Sequence, residues 1–438
     1  MREILVIQLG GFGNKVGVKF WEEMLKDSDF GNQNEQGLQS QDPLLNSINN
    51  VYFNLNQNKP LPRCVQVDLG QDLPCTNIDF NPCSQFSFNY SSGNNYGFVK
   101  NHCANEIMDI IVDSIRQETE KCDQLQGIQL FSSIIGGTGS GLIAALDDKL
   151  GYDPLLQYNL LIPSIKQDDV CVVSPYNSIL ALSQIMNQRE QIVCFDNQGL
   201  KQNLSRLGIE FNYDDANHHI AQTICCNSSP FRNNGDINSS LKKLSANLIP
   251  FPQQNFLTCS QSNNQFSDYF KEYLKMDETQ IFRELMSTNH NQASNDYTQG
   301  RFLTAALSLR GNISNKEVDK SCSLFQHYLD KQTYYRRQEA KKIKYIDMFL
   351  TNICKKPFQN FEYFGSCLIN STSITQSLES LIEKFNKMYV RKSYLYKYTQ
   401  EGIDEDNFID AKTRLEEICD SYKNTYQEDF GEGHENWE

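Results

Sequence analysis

Apolar residues run almost unbroken through "EILVIQL" (3–9), and a glycine turn, "GGFG", follows at once. Such a run predicts a strand buried on both faces. Next, "NKVGVKFWEEMLK" places Val16, Phe20 and Met24 on one face of a predicted helix. "CVQVDLG" (64–70) and "QIVCFDN" (191–197) read as further strands. "NEIMDIIVDSIRQETEKC" (105–122) reads as an amphipathic helix with Ile107, Ile110, Ile111, Ser114 and Ile115 inward. "GIQLFSSII" (127–135) is a strand that runs into glycines, and "GLIAALDDKL" (141–150) is the helix beyond them. Strand, glycine turn and helix in repetition predict an α/β fold: a parallel sheet with helices on both faces.

The middle of the chain is mixed, with buried strands at "RFLTAALSLRG" (301–311) and "FEYFGSCLIN" (361–370). Two helices close the pattern. One carries Leu378, Leu381, Ile382, Phe385, Met388 and Tyr389 at helical spacing; the other carries Phe408, Ala411, Leu415, Ile418 and Tyr422. There is no internal repeat and no long linker, so the parts are expected to pack as one body.

The chain has 438 residues, enough for two or three domains. A net charge of −14 argues against nucleic acid and anionic membranes and permits basic partners. No run approaches the ~18 apolar residues of a membrane span, and Arg2 and Glu3 lead straight into the first strand instead of a signal peptide. The 14 cysteines form no CxxC and the 6 histidines no HxxxH. They read as reduced, buried thiols of a cytosolic protein rather than metal ligands.

Candidate chemistry centres on "SSIIGGTGSGLIAAL" (132–146), where four glycines interrupt an apolar run. Backbone N–H groups and a helix start make this a natural anion cradle. A tight structural turn is the other reading of the same residues. No lysine follows the glycines as in a Walker loop, and the GxGxxG spacing of a dinucleotide fold is absent.

"IGGTGSG" (135–141) is similar to a seven-residue loop, GGGTGSG, and further segments share its family. These are "MREILVIQLGGFGNKVGVKFWE", "VSPYNSILALSQ", "CFDNQGL", "LKKLSANLIPFP", "RFLTAALSLRGNISNKEVD" and "MYVRKSYLYKYTQEGIDEDNF". Together, and in this order, they resemble the tubulin family, and its beta branch most, over nearly the whole chain. The resemblance implies a tubulin-like α/β fold: a Rossmann-type GTP-binding domain at 1–197 and a mixed α/β intermediate domain with a core helix at 198–370. A helical C-terminal domain at 371–426 and an acidic, disordered tail at 427–438 complete it.

It also implies GTP or GDP as cofactor. Ser133, Gly137, Thr138 and Gly139 match the phosphate loop, and Gly93 and Asn94 of "SSGNN" match a second one. Asn197, Tyr213 and Asn217 match the residues that hold guanine; an amide pairs with the base edge and a tyrosine offers a flat face. A helix cap or a core aromatic is the alternative for these three.

Several positions depart from the family. Gly11 and Phe12 replace Gln-Cys after the first strand, and Lys15 replaces a Gln. Gly70 replaces the acidic residue near magnesium, leaving Asp68 of the same strand, and Ser174 replaces a ribose-contacting Glu. This predicts guanine-nucleotide binding with reduced or absent Mg²⁺ dependence. Lys243 stands where alpha-tubulin carries the acid that completes hydrolysis in its neighbour, so this chain is not expected to act as alpha does.

Lateral-contact segments near 255–270 and 30–60 have drifted, whereas the longitudinal segments "RGNIS" and "LKKLSANLIPFP" are better kept. The expected role is a beta-like subunit of cytoplasmic, cytoskeletal microtubules that pairs with alpha-tubulin, including those of cilia or basal bodies. Motor or microtubule-associated proteins would bind the C-terminal helices and tail; no nucleic acid or membrane is expected. The other readings are a non-polymerising pseudo-GTPase that caps microtubule ends and a Rossmann dehydrogenase, which the missing GxGxxG disfavours.

Overall fold

The computed structural model describes residues 3–28, 51–56, 59–70, 73–74, 76–150, 155–166, 171–186, 190–232, 240–262, 278–323, 349–359, 361 and 363–424. Most of the drifted segment 30–60, residues 263–270 of the second lateral segment, and the acidic tail lie outside the described residues.

The first apolar run is β1 (Glu3–Leu9), buried at every position. Successive strand side chains point to opposite faces. Leu5, Ile7 and Leu9 therefore enter one core, and Ile4 and Val6 the other. α1 (Gly10–Asp27) follows directly. Next come β2 (Phe53–Asn56), β3 (Lys59–Pro62), β4 (Cys64–Asp68) and β5 (Gln85–Ser87), then α2 (Ala104–Glu120), β6 (Leu125–Ser133) and α3 (Gly137–Leu150). β7 (Leu155–Leu161), α4 (Ser174–Ile185), β8 (Gln191–Phe195), α5 (Asn197–Arg206), α6 (Tyr213–Asn227), α7 (Leu241–Leu248), β9 (Phe256–Gln261) and α8 (Glu278–Leu285) continue the alternation. β10 (Phe302–Gly311), β11 (Phe349–Cys354), β12 (Tyr363–Ser371), α9 (Thr375–Tyr389) and α10 (Glu405–Asn424) complete it.

Among the described residues, one sheet has the order β11-β10-β12-β9-β8-β7-β6-β1-β4-β5. From β5 to β9 every pairing is parallel. β12 lies antiparallel to both β9 and β10. The expected boundary at 197 falls just after β8, yet the β8–β9 pairing carries the sheet across it. α2, α3, α4, α9 and α10 bury Ile107, Leu142, Ile179, Leu381 and Phe408 in one core. α1, α5 and α6 bury Phe20, Leu204 and Ile220 in the other.

One inward assignment is corrected: Ile110 is 51% exposed, and Met108 takes an inner position instead. Ile110 lies about 100° around the helix from Ile111, beyond the edge of the buried stripe. The described cysteines form no disulfide, and most are buried, although Cys83 is exposed.

Polar side chains inside the sheet form two amide rows. Gln66 donates to Gln8 at 2.9 Å, and Gln85 donates to Gln66 at 2.8 Å. Gln129 donates to Gln157 at 2.6 Å, and Gln157 donates to Gln191 at 3.0 Å. Each bonded pair is also in register across its strands. Parallel strands spaced about 4.8 Å apart bring such amides within bonding reach. A one-residue slip would move them to the other face and leave them unpaired, so the rows help to set register.

The end of α1 is tied to the middle of the chain by a buried ion cluster. The Asp27 carboxylate accepts from Arg232 at 2.9 Å and from Arg310 at 2.8 Å. Lys356 donates to the Asp27 carbonyl at 2.8 Å. Arg310 is fully buried and stacks on Phe358, 5.5 Å from the ring centre. Burial alone would raise the Asp27 pKa, but the two guanidinium groups overcome it and hold the carboxyl at about 2. His219 goes the opposite way to the usual charged imidazole: burial, with His218 and His290 nearby, lowers it to about 4.

These shifts predict acid loss in two windows. A depressed histidine favours the neutral native form, so its contribution falls as pH drops from about 6.5 toward 4. The Asp27 contribution, about 2 kcal/mol, is complete above the unfolded value of 3.8 and falls as pH drops toward 2. Asp27→Asn leaves two buried arginines without their counter-charge and should cost ~3–5 kcal/mol at pH 7, read by urea unfolding. The variant should also lack the wild-type loss of stability below pH 4.

Candidate functional site

β1 is the switch point of the sheet: the chain first builds outward through β4 and β5, then returns to β6 on the other side. Open α/β sheets bind ligands in the crevice outside the strand ends at such a point. The glycine turns of β1 and β6 meet there. Gly10 has φ +71°, and a Cβ on it would stand 3.4 Å from the Gly139 nitrogen and from Thr138 Cγ2. A Cβ on Gly139 would stand 2.3 Å from the Ser133 carbonyl oxygen, which no side chain can occupy.

The expected loop at 136–141 is mostly helix, because α3 already starts at Gly137. Its first N–H groups have no partners within the helix and are free for an anion. A third segment closes on the same place. Gly93 and Asn94 both have positive φ, at 54° and 55°. A Cβ on Gly137 would stand 2.5 Å from the Asn95 nitrogen.

Asn177 on α4 joins two of these segments, the 94–96 turn and the end of β6. Its Nδ2 donates to the Asn94 carbonyl at 2.9 Å and to the Ile135 carbonyl at 3.2 Å. Its Oδ1 accepts from the Tyr96 N–H at 3.1 Å and from the Tyr398 hydroxyl at 2.7 Å. The amide thus uses both donors and two acceptor positions while fully buried. Sequence reasoning did not single it out; the only signal was its place in "VSPYNSILALSQ". Ser132 was also missed: its fully buried hydroxyl has no partner among the described residues and lies beneath Gly139.

Of the expected phosphate-side residues, Gly137 and Gly139 are buried backbone, Thr138 is half-buried, and Gly93 and Asn94 are exposed. Ser133 Oγ accepts from the Ile135 N–H at 3.3 Å, which shapes the turn. Gly11 and Lys15 are exposed on α1, while Phe12 packs against the second core. Ser174 is almost fully buried at the start of α4, with its N–H on the Cys171 carbonyl at 3.1 Å.

The base-side residues come from other strand and helix ends. Asn197 starts α5 just after β8. α1 and α6 run side by side in one direction, shown by Glu23 near His218, Met24 near Cys225 and Asp27 on Arg232. The start of α6, with Tyr213 and Asn217, therefore faces the first half of α1. The cap and core-aromatic alternatives do not describe these residues. Asp196 caps α5, Asn212 caps α6, and Tyr213 is 57% exposed. Tyr213 meets Phe211 edge-on at 5.3 Å.

The metal side offers little. Asp68 is half-buried, and its carboxylate already accepts from the Gly70 N–H at 3.3 Å. Gly11 and Gly70 contribute no side chain. Among the described residues, no group of three His, Cys, Asp or Glu side chains could hold a metal ion. Magnesium is usually held by one or two carboxylates together with phosphate oxygens and waters, and Asp68 is the carboxylate that this side offers.

Two substitutions test the assembly of the three segments. Asn177→Ala strands several buried partners and should cost about 2–3 kcal/mol in urea unfolding. Gly137→Ala drives a methyl into the Asn94–Asn95 backbone and should release that loop, read as faster limited proteolysis at 91–95.

Residues 3–205 match the Tubulin/FtsZ family, GTPase domain. The chain is 30% identical to the tubulin beta chain of the Guillardia theta nucleomorph, across 97% of this chain and 96% of that one. It is 30% identical to the tubulin beta chain of Aspergillus fumigatus, across 99% and 97%. The tubulin beta chain of Candida albicans gives 30% identity across 98% and 95%. With this level of identity over nearly the whole length, the chain belongs to the tubulin family, as a divergent, beta-tubulin-like cytoskeletal protein.

Proposed function

We propose that the chain is a structural subunit of microtubules that holds GTP or GDP at its sheet switch point and pairs head-to-tail with alpha-tubulin. The observation that carries this reading is the meeting of Gly10, Gly139 and Asn94–Asn95 around one crevice, locked by Asn177. The α3 N-terminus and Thr138 take the phosphates, with the Gly93–Asn94 turn closing over them. Asn197 and Asn217 take the guanine edge, and Tyr213 stacks on its face. None of these three side chains forms a hydrogen bond among the described residues, which leaves their polar groups for a base.

The same edge carries the exposed Tyr394 and Tyr396, near the point where Asn95 donates to the Lys397 carbonyl at 3.0 Å. Apolar surface beside the nucleotide suits a neighbouring subunit that closes the site. In "RGNIS", Arg310 belongs to the buried ion cluster, so only Asn312 and Ser314 of that segment are exposed for contact. Lys243 is exposed and cannot serve as a base toward a neighbour's nucleotide. Hydrolysis at this chain's own site would need the partner's carboxylate. In this reading the segments 1–197, 198–370 and 371–426 act as nucleotide, intermediate and C-terminal domains.

The test is nucleotide content: protein purified natively is denatured and its released nucleotides are chromatographed. Near-stoichiometric GTP or GDP is expected, followed by co-sedimentation along microtubules assembled with alpha-tubulin. A folded sample without guanine nucleotide overturns the binding reading. Binding only at microtubule ends replaces the subunit with a cap.

A further inference from the structure

We propose that Lys15 acts as a built-in cation at the nucleotide phosphates, in the place of a divalent metal, and that Gly11 clears its path. The inference rests on the nucleotide reading above. Lys15 and Gly11 are four residues apart and share one exposed face of α1. Helical Cα–Cβ bonds tilt toward the helix N-terminus, so the patch of α1 within reach of Lys15 lies over the turn that contains Gly11. Nothing lies within 4 Å of where a Cβ on Gly11 would stand, so that path is open. Gly10, one residue before, lies so near the proposed phosphate turn that a Cβ on it would stand 3.4 Å from the Gly139 nitrogen and from Thr138 Cγ2.

Lys15 has no competing partner among the described residues. The acid two turns further along α1, Glu22, is bonded to Lys19 at 3.1 Å. Asp68 on the neighbouring strand is turned to the Gly70 N–H. Asp214 and Asp215, the acids at the start of α6, are exposed and unpaired with it. The two losses that thin the metal side, at 11 and 70, thus coincide with the gain of one free ammonium. An ammonium offers three charge-assisted donors to phosphate oxygens and needs no hydration shell shared with carboxylates. The departures at 11 and 15 are complementary: a glutamine at 11 would stand where the lysine must pass.

The experiment measures GDP and GTP affinity of the full chain in magnesium and in chelator, with Lys15→Gln and Lys15→Arg beside wild type. Wild type should hold nucleotide within about threefold in either condition. Lys15→Gln should lose at least about tenfold in chelator, and Lys15→Arg should keep most of the affinity. Position 15 is exposed, so unliganded thermal midpoints should agree among the three. Wild-type binding that collapses on chelation, or a Lys15→Gln variant that binds as wild type does, overturns the inference while the nucleotide reading stands. Absence of binding in both conditions overturns the two together.

Discussion

The constraint on which the crevice depends is a contact between bare backbones. At the end of β6 the chain turns so tightly that a methyl at Gly139 would overlap the Ser133 carbonyl, and one at Gly137 would overlap Asn94–Asn95. Three segments from distant parts of the sequence can share one small volume only because Gly10, Gly137 and Gly139 carry no side chain at the points of closest approach. The start of α1, the start of α3 and the 91–95 turn are placed by this exclusion. Asn177 then ties the 94–96 turn to the end of β6, using both its donors and two acceptor positions. A site built this way is preorganised, since its donors are already fixed before a ligand arrives.

The rest of the fold keeps that edge still. Amide rows across β5-β4-β1 and β6-β7-β8 set register on both sides of the switch point. The Asp27 cluster anchors the far end of α1 to Arg232 and Arg310. Both devices bury polar groups, which is costly unless every partner is present. They therefore specify one arrangement of strands and helices more than they add stability. The orphaned amide nitrogens of Gln8 and Gln191 mark where each row ends.

Divergence in this chain is uneven. The proposed phosphate turn keeps glycines at 136, 137, 139 and 141, with Ile135 in the first position of the similar loop, while Asp68 is the acid left on the side proposed for a metal. Exposed positions such as 11, 15 and 70 can change without disturbing a core. Buried backbone contacts at 137 and 139 cannot. The pattern separates what folds the site from what tunes its chemistry.

Much of this was legible in the residues. Uninterrupted apolar runs marked β1, β8, β10 and β12, and helical spacing marked α1, α2, α9 and α10, because both depend on local periodicity alone. The glycines of 136–141 announced a close approach. What they approached was not local: Asn94–Asn95 lie some forty positions away in the chain, and Asn177 about as far in the other direction. β7 and β9 were passed over because glutamine, asparagine, threonine and serine break their apolar pattern, and only partners on neighbouring strands make those residues tolerable inside. Ile110 looked inward by composition, but the width of the buried stripe is set by the surface α2 packs on. Sequence by itself determined the α/β class, the family and the residue types at the site. The tertiary structure alone decided which backbones touch, that Asp27 and Arg310 neutralise one another, and that Lys15 has no partner among the described residues, because those outcomes depend on distances between segments that no local pattern encodes.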